Sequence, residues 1–453
     1  MNRLLNLFVP PVLTTEIHLV KSIGFHPRPP PPRHFQPFQL VFSSLKLVKC
    51  LSFDVPLLLV SSVLPKKIGA QVLYRVFTKN GALGMKFGQF LSMRPDWLPK
   101  ESVDILTSLQ AQTPSKQLLD VKSIFYQETG IVLSDSAIKE KIGAGCISQV
   151  YRVVLNNRNY SLKIIEPQTR HEVFADLFLL SKLATLVGAQ RMFAQFDEIL
   201  RDQLDLRKEK HQAERFRANF SFYRSTLEDS SFLNRAKQWL RRYEFIFPKP
   251  IIATQNILLT EYWPSTPRTS LNPEAVLFLF LKMVFKDRYI HADLHRGNLA
   301  AISGPRPTTV VYDSGLIHSL NQRQRQNLVD LLKEVLLGKT PQALSLLIDR
   351  NPRNAHSPAE KQAFVRDGCT LWKNITRRKR AMLTAPIDTY VLARKHNVFF
   401  DECYTNIILS SLHVQQISFG SKYPINWASL FLRSGLFTEY LSLVMRWYWR
   451  SLK

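Results

Sequence analysis

His291-Ala-Asp-Leu-His-Arg-Gly-Asn298 sets Asp293 five residues ahead of Asn298, and Asp313-Ser-Gly315 begins fifteen residues after that. Transfer of a phosphoryl group from ATP uses such a set. One carboxylate faces the attacking hydroxyl or water, while an amide and a second carboxylate hold the Mg²⁺ that bridges the phosphates. Asp293 is therefore a candidate catalytic carboxylate, and Asn298 and Asp313 are candidate Mg²⁺ ligands. The competing reading is a polar loop with a structural Asp. His291 and His295 also invite a metal reading, but no Cys or Glu stands near them at zinc spacing. Hydrogen bonding to the backbone of this loop is the expected role of both rings.

A second set of residues lies upstream. Gly143, Ala144, Gly145, Ser148 and Val150 match G-x-G-x-x-[GS]-x-V. Glycine lets backbone N–H groups approach phosphate oxygens with no Cβ in the way. Alone the pattern is weak, because glycine turns before strands are common. Its weight rises with Lys163, thirteen residues beyond Val150, where a cation could reach the α- and β-phosphates. The plain alternative for Lys163 is an edge-strand lysine that discourages aggregation.

These residues need particular elements beneath them. Lys141 to Leu155 and Tyr160 to Ile165 are β-rich runs around Asn156-Asn157, which predicts a hairpin. Asn256 to Tyr262 predicts another strand. Asn272-Pro-Glu opens a helix by its cap and N1 proline, and that helix delivers the chain to His291. Leu299–Ile302 and Thr308–Tyr312 predict a hairpin ending at Asp313. Leu328, Leu331, Leu332, Val335 and Leu336 follow helical spacing, and Gly338 closes that helix. Four zones result: a leader or basic arm over 1–40, a mostly helical stretch over 41–115, mixed strands and helices over 116–262, and a mostly helical region over 263–453. Gly81, Gly84 and Gly88 read as exceptions to the helical character of the second zone.

With 453 residues and 45% apolar content, the chain can bury a large core, and it is not a disordered protein. Its +26 formal charge attracts nucleic acid, anionic lipid or nucleotide phosphates without choosing among them. The basic residues run from end to end, and no RNA- or DNA-binding motif stands out, so nucleic acid ranks last among partners. Arg241-Arg242 and Arg377-Arg378-Lys379-Arg380 read as solvated helix faces. Cys50, Cys146, Cys369 and Cys403 are far apart, which suggests neither zinc nor a disulfide framework. The first fifty residues carry six Lys or Arg and one acid, Glu16. Both an organelle presequence and a disordered basic arm suit that composition. Leu430 to Lys453 mixes aromatics with arginines; an interfacial membrane helix and a capping helix are equal readings. Cys50–Leu64 is too short to span a bilayer, and Ala275–Phe285 reads as a buried core helix.

The order of parts resembles the protein-kinase-like fold and, more narrowly, the UbiB family of atypical kinases. The specific signature is K-x-G-Q, here Lys86-Phe-Gly-Gln89. The resemblance runs from about Gly81 to beyond Gly315. It implies an α+β, bilobal kinase-like fold with an N-terminal helical extension carrying K-x-G-Q. It further implies that Lys86 and Gln89 reach toward the nucleotide phosphates and restrict substrate access, and that Lys163 is the phosphate-contacting lysine. Asp293 is implied as the catalytic Asp, with Asn298 and Asp313 as Mg²⁺ ligands, and Glu261, Tyr262 and Trp263 as the adenine hinge. The cofactors implied are ATP and Mg²⁺. The setting implied is coenzyme Q biosynthesis at a mitochondrial, plastid or bacterial inner membrane, with anionic lipid, quinone-synthesis proteins and a small lipid-like substrate as partners.

Three departures bear on activity. The family's Ala-rich loop is Gly143-Ala-Gly-Cys146 here. Its E-x-D is Gln203-Leu-Asp205 with Glu209 downstream, so either Glu209 pairs with Lys163 or the pair is absent. Its D-F-G is Asp313-Ser-Gly315, which removes an apolar anchor at Ser314. These changes keep two rival readings open: a nucleotide-binding pseudokinase scaffold, and a small-molecule kinase of the aminoglycoside or choline type. The kinase reading requires Lys163 and Asp313 to serve one nucleotide–magnesium pocket.

Overall fold

Two helices joined at a tight corner come first among the longer elements described in this computed structural model. Helix α1 (Lys66–Lys79) is followed after one residue, Asn80, by α2 (Gly81–Ser92). The structure describes residues 63–92, 98–110, 120–186, 190–223, 243–264, 271–302, 306–351, 354–375 and 381–419, with Gly304 and short stretches between 44 and 57. The expected leader, the Arg241 and Arg377 clusters and the Leu430–Lys453 helix lie outside the described residues.

The α1–α2 corner corrects the reading of its glycines as helix exceptions: Gly84 and Gly88 lie inside α2, and Gly81 is its first residue, at a positive φ that favours glycine. At Gly84 and Gly88 low helix propensity is outweighed by close packing. A Cβ built on Gly84 would stand 2.6 Å from the Phe77 carbonyl oxygen, and one on Gly88 would stand 2.6 Å from Leu109 Cδ1. Gly84→Ala should therefore lower stability by about 1–3 kcal/mol, since overpacking against backbone cannot be relieved by a rotamer change. Thermal melting checks this; an unchanged midpoint would show that the corner opens freely.

After α3 (Lys100–Thr107) and a 3₁₀ turn at Ser108–Gln110 comes α4 (Val121–Thr129), capped by Asp120 at one end and by left-handed Gly130 at the other. The strands β1 (Ile138–Ala144), β2 (Ser148–Leu155) and β3 (Arg158–Ile165) form a meander. Asn156 and Asn157 both have positive φ, the conformation a two-residue hairpin turn demands and Asn tolerates. Three helices follow: α5 (Pro167–Leu186), α6 (Gln190–Gln203) and α7 (Leu206–Asn219). Next in the chain are β4 (Glu244–Ile246), β5 (Pro250–Ala253) and β6 (Ile257–Glu261). One antiparallel sheet has the order β1-β2-β3-β6-β5. One of its cores joins Ile147, Ile165 and Leu258 to Phe90 and Leu91 of α2 and Phe196 and Leu200 of α6. The Phe87 ring meets that of Phe196 edge-on at 4.9 Å.

Helix α8 (Pro273–Lys282) starts at the Asn272 cap and is buried along most of its length. A π-turn, Met283–Asp287, and left-handed Arg288 lead into β7 (Tyr289–His291). The following strands are β8 (Leu299–Ile302), β9 (Thr308–Val311) and β10 (Ile317–Ser319). β7 pairs with β10, while β4, β9 and β8 form a second small sheet in that order. Helices α9 (Gln322–Leu336), α10 (Thr340–Asp349), α11 (Pro358–Ile375), α12 (Ala381–Lys395) and α13 (Glu402–Phe419) complete the described chain. The chain divides into two units, Met1–Ala218 with Phe247–Pro264, and Asn219–Ile246 with Ser265–Lys453.

Candidate active site

In the first unit, antiparallel pairing aligns Val150 of β2 with Lys163 of β3, and Gly143 of β1 with Val150. The turn between β1 and β2 is closed by Gly145 N–H donating to the Ser148 carbonyl at 2.7 Å. Neither Gly143 nor Gly145 has positive φ, and an added Cβ would meet only ordinary contacts at 3.7 and 3.6 Å. Internal packing does not require glycine at either position.

The Lys163 ammonium donates to both carboxylate oxygens of Glu209, at 2.9 and 2.8 Å. The side chains are 17% and 7% exposed, so the pair sits in a low-dielectric setting where a charge-assisted bond counts. Glu209 lies in the first turn of α7. Gln203 is the last residue of α6, and Asp205 is held in a two-pronged pair by Arg207 at 2.9 and 2.6 Å. The alternative left open by the sequence is thus resolved in favour of Glu209.

Helix α2 places Gln89 beside this turn. Gln89 Nε2 donates to the Leu109 carbonyl at 2.8 Å, and the buried Cys146 thiol lies 3.9 Å from Gln89 Oε1. Gln89 therefore links α2 to the Gly143–Cys146 segment through a thiol, while Lys86 is partly exposed on α2. Glu261 ends β6: its backbone N–H donates to the Lys249 carbonyl, and its carboxylate accepts from Lys249 N–H at 3.0 Å. Tyr262 lies under the Arg152 guanidinium at 5.7 Å.

The second unit holds the acidic set. His291 is fully buried at the end of β7, and its Nδ1 accepts from the Asp293 N–H at 3.1 Å. That bond leaves the ring proton on Nε2, which donates to the Asp313 carbonyl. One imidazole thus ties the backbones of the two acids together. Asn298 Nδ2 donates to the Asp293 carbonyl at 2.9 Å, and Asn298 carries on into β8. Asp313 Oδ1 accepts from Gly315 N–H at 2.7 Å. His295 Nδ1 accepts from Gly297 N–H at 2.8 Å, so close that a side chain at Gly297, whose Cβ would stand 2.4 Å from the ring, would displace the imidazole. Both histidines bond the loop backbone, as expected from the sequence.

The Asp293 carboxylate lies between two rings. His295 Nε2 is 3.6 Å from Oδ2, and His413 Nε2, from α13, is 3.9 Å from Oδ1. Oδ1 is buried with no hydrogen-bond partner. Sequence reasoning missed His413, which lies 120 residues beyond Asp293; its signal was a ring in the otherwise apolar and small-residue run Ile407 to Val414.

The donor set fits a magnesium nucleotide. Mg²⁺ takes one or two protein carboxylates and completes its shell with phosphates and water. Asn298 spends its amide nitrogen on the loop, which leaves its carbonyl oxygen as the atom a hard cation accepts. Among the described residues no group of three or more His, Cys, Asp or Glu could hold a metal alone.

Burial is the main cause that pushes the His291 and His413 imidazoles below their ordinary 6.5; the nearby Asp293 opposes it in both. A histidine kept neutral by folding takes up its proton more readily when unfolded. Its stability contribution is complete above about pH 6.5 and is lost as pH falls below that value. The urea midpoint should therefore fall between about pH 7.5 and 5.5, and fall less in His413→Gln, which titrates one group fewer. Equal slopes in the two proteins would contradict this.

A Gly-rich turn, a strand lysine paired to a helix glutamate, and an H-x-D loop tied to a second Asp are the parts of a protein-kinase-like fold of α+β class. The ABC1 atypical kinase-like domain matches residues 108–346, more than half of the chain. The chain belongs to this family of UbiB-like atypical kinases. It is 26% identical over 267 residues to a "Probable protein kinase UbiB" of Vibrio cholerae, covering 55% of this chain and 48% of the relative. It is 23% identical over 260 residues to the "Probable serine/threonine-protein kinase abkC" of Dictyostelium discoideum, covering 52% and 35%. The chain spans about half the length of the UbiB relatives it matches. A solved chain from the Rv3197–erythromycin complex of Mycobacterium tuberculosis aligns at TM-score 0.42 and 13% identity, covering 73% of this chain and 90% of that one.

Proposed function

We propose that this chain is an ATP- and Mg²⁺-dependent kinase or ATPase of the UbiB type that supports ubiquinone biosynthesis at a membrane, in a mitochondrion. The observation that carries the reading is the Lys163–Glu209 pair, formed although Gln203 replaces the acid of the E-x-D pattern. A phosphate-contacting lysine needs such a carboxylate to hold its ammonium in place. In this reading Lys163, Gly143, Ala144, Gly145, Ser148 and Val150 hold the phosphates, with Glu261 and Tyr262 at the adenine. Asn298 and Asp313 would hold Mg²⁺, which would supply positive charge at the phosphates. Asp293 orients the attacking hydroxyl or water and takes its proton. Lys86 and Gln89 limit access to that centre, which favours a small lipid-like acceptor or water over a protein. No helix among the described residues is long and apolar enough to cross a membrane.

The test is phosphate release from ATP by the full chain, with Mg²⁺ or with chelator, on vesicles with or without cardiolipin. The reading expects Mg²⁺-dependent release that anionic vesicles stimulate. Nucleotide binding without turnover would favour the pseudokinase scaffold, a reading to which Ser314 in place of an apolar anchor gives weight.

A further inference from the structure

Helix α13 is tied by one hydrogen bond to β10 and by one to the acidic loop. Asn406 Nδ2 lies 3.2 Å from His318 Nδ1 on β10, the strand paired with β7. Arg296 of the loop donates to the Gln416 carbonyl at 3.5 Å. Between them His413 points its Nε2 at Asp293. Asn406 and His413 are seven residues apart, two helical turns, so they share one face. That face runs beside β10 and the H-x-D loop.

The distances at Asp293 are informative because they are long. At 3.6 and 3.9 Å the flanking rings stand beyond hydrogen-bond reach of the carboxylate. They confine it sterically and present polar edges to it without occupying its lone pairs. Oδ1 is enclosed and unbonded, an arrangement that is costly unless another polar group completes it. A buried histidine on an otherwise apolar stretch also carries a desolvation cost that Leu or Met would not. A purely architectural side chain would be cheaper at this position. Burial pushes the His413 imidazole below its ordinary pKa, toward the neutral form, which does not clamp the carboxylate as an imidazolium would.

We propose that His413 is a positioning residue for the phosphoryl-transfer step: from α13, its ring backs the buried Oδ1 edge of Asp293 and so holds the carboxylate in its orientation toward the acceptor's hydroxyl or water. The inference rests on the reading of Asp293 as the catalytic carboxylate. It assigns α13 a part in turnover and none in nucleotide affinity.

The experiment compares His413→Gln with His413→Met in the full chain, measuring kcat and KM for ATP. Gln keeps a polar edge near the position of Nε2; Met has similar reach and presents an apolar one. His413→Met should lower kcat about 10-fold with KM unchanged, within the range that misplacing a catalytic group by about an ångström costs. His413→Gln should stay within about threefold of wild type, and in an Asp293→Asn background the two variants should be indistinguishable. Should His413→Met lack a cooperative melt, His413→Leu takes its place. Equal kcat in wild type and His413→Met, or equal losses in Gln and Met, overturns the positioning role alone. A wild type no faster than Asp293→Asn overturns the phosphoryl-transfer reading and the positioning role with it.

Discussion

Asp313→Asn is expected to cut Mg²⁺-dependent ATP turnover by at least about 100-fold while leaving the fold intact. The substitution is nearly isosteric. Its Oδ1 can still accept from Gly315 N–H, and His291 Nε2–H still meets the backbone carbonyl of residue 313, which the change does not touch. The negative charge disappears, and one carboxylate oxygen becomes an amide NH2. A divalent cation bridging phosphates needs that charge, because the amide of Asn298 supplies a dipole alone. The measurement is phosphate release at saturating ATP over a range of Mg²⁺, alongside a thermal melt. A midpoint close to wild type, with turnover collapsed, is the expected pair of results. Undiminished turnover would remove Asp313 from the chemistry.

Glu209→Ala should destabilise the protein by about 3 kcal/mol and weaken nucleotide binding as well. The carboxylate accepts two bonds from Lys163 while itself only 7% exposed. Its removal takes away the charge that compensates a largely buried ammonium, and the loss is larger than that of a surface pair. Urea unfolding reads the effect directly. Glu209→Ala combined with Lys163→Met should recover much of the lost stability, since no uncompensated charge then remains, but should not recover nucleotide affinity. If Glu209→Ala behaves as an exposed-site change, within about half a kcal/mol of wild type, the pair is not what orders Lys163.

How much of this was legible beforehand depended on how local the determining interaction is. The H-x-D loop was readable because its bonds are short-range: His291 to Asp293, His295 to Gly297, and Asp293 to Asn298 all close within five residues. The Asn156-Asn157 turn and the Asn272 cap were readable for the same reason. The partner of Lys163 was not, because Gln203 and Glu209 lie on successive helices and only their placement in space decides which side chain reaches β3. Gly84 and Gly88 misled because propensity marks glycine as a helix breaker, whereas Phe77 and Leu109 demand its missing side chain. His413 had no local pattern at all. Its tie to Asp293 arises from the packing of α13, which hydrophobic periodicity does not place.

The proposed function requires the Lys163–Glu209 pair and the Asp293, Asn298 and Asp313 set to act on the same magnesium nucleotide. A double-mutant cycle on Mg²⁺·ATP affinity, with Lys163→Met, Asp313→Asn and the two combined, tests it most directly. The account predicts strong coupling: each single change weakens binding, and the double variant binds hardly worse than the weaker single one, because either loss already dismantles the grip on the phosphates. Strictly additive losses, or a Mg²⁺·ATP affinity that neither change alters, would contradict it.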